Sequence, residues 1–112
     1  MALRPPRPPS TKLWSKTPYQ ALEYEIIQEQ ASALGRLGRR LEAALAALAA
    51  FDSQNAPATT ERKQERGALI KEASLALWLL VVQRECLGLR DTRQLLRDYS
   101  VPAEVRDRMG IV

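Results

Sequence analysis

In the stretch TPYQALEYEIIQEQASALGRLGRRLEAALAALAAFD, residues 17–52, large apolar residues return every three or four positions. Leu22, Ile26, Ile27, Leu34, Leu37, Leu41, Leu45, Leu48 and Phe51 form one continuous stripe at 100° per residue, the signature of a single amphipathic helix. Its start is marked three times: Thr17 can cap the first turn, Pro18 suits the first helical position, and Gln20 stands where a capping-box partner belongs. The helix is expected to begin at Pro18. At 1.5 Å per residue it would reach about 50 Å. That exceeds the span of a compact domain of this size, so the stripe requires a hairpin partner or an intermolecular bundle.

A row of small residues, Ala31, Gly35, Gly38, Ala46 and Ala49, lies about 120° around from the stripe and is interrupted by Glu42. Glycine inside a helix costs about 1 kcal/mol relative to alanine. Gly35 and Gly38 therefore point to close backbone approach by another helix and are candidates for a self-association surface. The remaining face, with Glu25, Glu29, Arg36, Arg39 and Arg40, is expected to meet water.

Residues 53–60 (SQNAPATT) form a loop, because Pro57 blocks helix continuation and its neighbours are small and polar. A second helix is expected from Glu61 to Leu87, capped by Thr60 and stopped by Gly88. It presents two apolar faces. Leu69, Ala73, Ala76, Leu77, Leu80 and Leu87 lie on one; Leu75, Trp78, Leu79, Val82 and Cys86 lie on roughly the opposite one. One helical partner cannot cover both, so Leu75, Trp78, Leu79 and Val82 join Gly35 and Gly38 as candidate dimer contacts. The run Leu75–Val82 is too short to cross a bilayer and reads as buried core. Asp91 is expected to cap a two-turn helix, with Gln94 closing a capping box and Leu95, Leu96 and Tyr99 apolar. Pro102 starts a last short helix with Val105 and Met109 on one side, Gly110 stops it, and apolar Ile111 and Val112 are expected to dock. The fold class is all-α: a long antiparallel helical hairpin plus two short C-terminal helices, completing a helical bundle as a homodimer. Residues 1–16 make a Pro-rich basic flexible arm and residues 17–112 a single helical domain.

The 112 residues carry 46% apolar side chains, mostly Leu and Ala, which suits a small helical core. The net charge of +4 resides in the arm. Arg4, Arg7, Lys12 and Lys16 precede the first acidic residue, Glu23, and the other thirteen basic and thirteen acidic residues cancel. A neutral body argues against phosphate gripping by counterion release, and nucleic acid is an unlikely partner. The arm's Arg4-Pro5-Pro6-Arg7-Pro8-Pro9 favours polyproline II, with its basic residues in neither register of an SH3 ligand, while Leu13 and Trp14 are suited to anchor the arm on the body. No apolar signal segment occurs in residues 1–16 and Cys86 has no internal disulfide partner, so the expected compartment is the cytoplasm, with no membrane association.

The chain has no histidine, which removes the commonest general base and metal ligand together with the Ser-His and Cys-His nucleophile pairs. Neither an enzymatic role nor a cofactor is expected. Glu25 and Glu29 read as solvated surface, and Cys86 as a small hydrophobe on an apolar face. The cluster Arg84, Glu85, Arg90, Asp91, Arg93, Arg97, Asp98 and Tyr99 is the main candidate for an anion or ligand site. Four basic and three acidic residues near two helix junctions more often pair with one another, tying short helices to the hairpin. A DNA-reading role for the last helix is disfavoured by its balanced Glu104, Arg106, Asp107 and Arg108.

The runs LEYEIIQE (22–29), WLLVVQRECLGLRD (78–91) and RDYSVP (97–102) through Met109-Gly110 resemble a family of short uncharacterised alphaproteobacterial proteins classed as a domain of unknown function. The resemblance covers most of residues 20 to 110. It implies a bacterial, cytoplasmic protein and carries no activity, cofactor or catalytic residue. The expected function is a non-enzymatic helical interaction or structural module that self-associates, with another protein partner also open. A nucleic-acid accessory role through the arm and the Arg-rich helix surface is the first alternative. An enzyme or small-ligand binder at Arg84–Asp98 is the second.

Overall fold

Local hydrogen bonds set the ends of four helices in the computed structural model, which describes residues 17–110: α1 (Pro18–Asp52), α2 (Thr60–Cys86), α3 (Thr92–Asp98) and α4 (Ala103–Arg108). No strand occurs among the described residues. The arm, residues 1–16, and the terminal Ile111 and Val112 lie outside them. The chain divides into two units, Met1–Ser32 and Ala33–Val112, each taken by itself below.

The capping box at the start of α1 is complete. Gln20 N donates to Thr17 Oγ1 at 3.1 Å and Thr17 N donates to Gln20 Oε1 at 3.0 Å, so two otherwise orphaned donors are satisfied reciprocally. The cap of α2 is Thr59 rather than the expected Thr60. Its hydroxyl accepts from Arg62 N at 3.1 Å, and Thr60 becomes the first helical residue. Adjacent threonines offer the same hydroxyl in two registers, and the chain uses the earlier one. At the other end Leu89 N donates to Arg84 O and Gly88 N to Glu85 O, with Gly88 at φ +82°. This pair of bonds is a Schellman stop, which needs a left-handed residue after the cap.

The same motif ends α3 without a glycine. Val101 N donates to Leu96 O at 3.0 Å and Ser100 N to Arg97 O at 3.1 Å, and Ser100 takes φ +52°. Asp91 caps α3 as expected, its Oδ1 accepting from Gln94 N at 3.1 Å. The box does not close, because the Gln94 amide turns down the helix to Asp98 and accepts from Arg97. Pro102 caps α4 from outside the helix, with ψ 151° and no side-chain bond.

The core sits in residues 33–110. Leu41, Ala44 and Leu48 of α1 bury against Ala73, Ala76, Leu77 and Leu80 of α2, with Leu95 of α3. α4 packs on α2, where Val105 is fully buried and Ile70, Ser74 and Val81 form the adjoining buried flank. Ser74 is 4% exposed, and its Oγ donates to Ile70 O at 2.7 Å and lies 3.1 Å from Val105 O, so this buried polar side chain of the core is satisfied. The hairpin and the two short helices of the expected architecture are thus present.

In residues 17–32 the stripe residues, and Tyr19 before them, stand open. Tyr19, Leu22, Ile26 and Ile27 are 74%, 55%, 48% and 58% exposed.

Candidate functional site

Helix α2 has three sides. The first meets α1 and the second meets α4. The third is the apolar face expected to need a partner: Leu75, Trp78 and Val82 remain 44%, 42% and 37% exposed, while Leu79 is half-buried. The run Leu75–Val82 is therefore only partly core, because a helix buried on about half its circumference leaves the rest of an apolar run in solvent. Cys86, expected as a small hydrophobe, is exposed near the end of this face. Leu89, just past the Schellman stop, adds another exposed side chain at 45%. Trp78 is backed on one edge by Gly110, where an added Cβ would meet its ring at 3.5 Å.

The two glycines of α1 have separate neighbours. Gly38 is buried, and a Cβ there would stand 2.6 Å from the Tyr99 hydroxyl. The close approach expected at this position is real but is made by the side chain of Tyr99, the C-cap residue of α3, rather than by another helix backbone. At Gly35 the neighbour is Arg39 of the same helix, 3.2 Å from an added Cβ. Gly38 is thus taken within the chain.

Beside Tyr99 an open groove of ≈ 690 Å³ runs between α1, α2 and α3, lined by Leu34, Gly35, Glu42, Leu45, Leu80, Arg84, Leu95, Asp98 and Tyr99. Of the expected arginine cluster only Arg84 lines it. Among the described residues, Arg84, Arg90 and Arg93 form no ion pair, and Arg97 donates to Gln94 Oε1. The expected mutual pairing is not formed: Arg97 and Asp98 are both engaged by Gln94 instead.

Arg66, which the sequence reading passed over, makes the tie instead. Its guanidinium holds Asp52 at the end of α1 (2.7 and 3.0 Å) and Glu104 at the start of α4 (2.6 and 3.0 Å). Two bidentate forks on one planar group give it geometric specificity. The hydrogen bonds from Arg66 hold both carboxyls below the usual carboxylate range. Arg40 makes a second fork on Glu72, 2.8 and 3.2 Å, across the hairpin, and lowers that carboxyl likewise. The signal that would have found Arg66 is the acid at each helix end, Asp52 and Glu104.

No group of side chains able to hold a metal occurs among the described residues, and no helix among them is long and apolar enough to cross a membrane. No curated protein and no solved structure matches the chain significantly. One family model does, over residues 12–112, and the chain belongs to that family, the family of unknown function DUF6665.

Proposed function

We propose that this protein is a non-enzymatic helical module that self-associates as a homodimer in the cytoplasm. The observation that carries the reading is the third side of α2, where Leu75, Trp78 and Val82 stand in line and exposed at i, i+3 and i+7. Contiguous apolar patches of this kind mark association surfaces in soluble proteins, and a two-fold dimer is the commonest arrangement that covers one. A lone free cysteine fits a reducing compartment. Sedimentation equilibrium of the full chain from low to high micromolar concentration tests the proposal. The expected result is a dimer, and a folded monomer across that range overturns it.

The groove favours a second reading, a small-ligand binder, because it sets Arg84, Asp98 and Tyr99 beside one opening. Saturable binding of inorganic phosphate that is lost on Arg84→Ala would move this reading ahead.

A further inference from the structure

The stretch of α1 that stands open in residues 17–32 matches the open side of α2 in three ways. Tyr19, Leu22 and Ile26 repeat the i, i+3, i+7 spacing of Leu75, Trp78 and Val82, the interval of a two-helix apolar seam. Both sets span eight residues, about 10 Å of helix from first to last. Their charges are opposite. Residues 17–32 carry Glu23, Glu25 and Glu29 and no base, whereas residues 33–110 carry thirteen bases and ten acids. The neutral body is a negative segment joined to a positive one. On α2 itself Lys71 and Glu72 stand one turn before Leu75, Glu72 being paired with Arg40, and Glu85 follows Val82 by three residues.

Resting on the self-association reading, we infer that the first turns of α1 from a second copy lie on the Leu75–Trp78–Val82 strip, and that the same contact is made in return. The occupant proposed is a second copy of the chain, because its residues 17–32 offer the matching apolar spacing together with a net charge opposite to that of residues 33–110. A single two-turn contact is small beside the roughly 1,200 Å² or more that stable interfaces bury; two-fold repetition doubles it. The opposite net charge of the two segments steers the pairing and makes it weaken with added salt.

The test uses two full-length variants, Ile26→Glu and Val82→Glu, each on an exposed position so that helicity by circular dichroism is retained. Each alone is expected to weaken dimerisation by about 100-fold, because a charge in an apolar seam lacks a partner. An equimolar mixture should dimerise more strongly than either variant alone, though less than the unaltered protein, since one intact α1 then faces one intact α2 strip. If Val82→Glu alone weakens the dimer, the strip pairs with its own copy; if Ile26→Glu alone does, the α1 segments pair with each other. Either result overturns this inference while self-association stands. A mixture that dimerises no more strongly than the single variants also overturns it. A monomeric unaltered protein overturns the self-association reading itself.

Discussion

The Tyr99 hydroxyl occupies the space that a side chain at residue 38 would need: a Cβ on Gly38 would lie 2.6 Å from its oxygen and 3.8 Å from its Cζ. The glycine is thus a receptor for α3, and the cost of a helical glycine is offset by letting Tyr99 reach α1.

A substitution cycle isolates this relationship. Gly38→Ala would ordinarily stabilise a helix by about 1 kcal/mol. Here it should destabilise, because the clash displaces Tyr99. Combined with Tyr99→Phe, which leaves only an ordinary 3.8 Å contact, the alanine should become neutral or favourable relative to Tyr99→Phe alone. Gly67, with nothing within 4 Å of an added Cβ, is the control and should gain about 1 kcal/mol as alanine. Urea unfolding of the four variants measures the coupling. A favourable Gly38→Ala in the unaltered background would count against the account.

Ser100 holds φ +52° where the Schellman stop of α3 requires a left-handed residue. Glycine adopts this conformation freely, while other L-residues are strained by about 1 to 2 kcal/mol. Ser100→Gly should therefore stabilise by about 1 kcal/mol or less, after the added flexibility of the unfolded chain is counted. A rise in the urea midpoint with unchanged slope is the expected observation.

The Arg66 forks make stability pH-dependent. Asp52 and Glu104 have folded pKa values below their unfolded ones, so they add stability that is fully present above the ordinary carboxylate range, about pH 4. It is lost as pH falls through the lowered values. Arg66→Gln should lower the melting temperature at neutral pH, and its difference from the unaltered protein should shrink steadily below about pH 4. Glu72, lowered by Arg40, titrates in the same direction and remains in the variant. A gap of constant size down to pH 2 would assign the Arg66 effect to packing of its stem instead.

The start of α1 at Pro18, the Gly88 stop and the Asp91 cap were all legible in the sequence, because each rests on hydrogen bonds between residues three to five apart. The helical class followed from periodicity for the same local reason. The second apolar face of α2 was legible too, as was its lack of a partner within one hairpin. Which side of α2 would take α4 was not, since Ser74 and Val105 are thirty-one residues apart and nothing in either helix's period names the other. Arg84, Arg90, Arg93 and Arg97 looked like a cluster because they are close in sequence, yet the tie formed at Arg66, fourteen residues from Asp52 and thirty-eight from Glu104. Gly38 announced a close approach, but only packing placed Tyr99 there. Helix ends are determined by the chain's neighbours in sequence. Occupants of faces are determined by neighbours in space, which the covered area, the shape and the charge of distant segments select together.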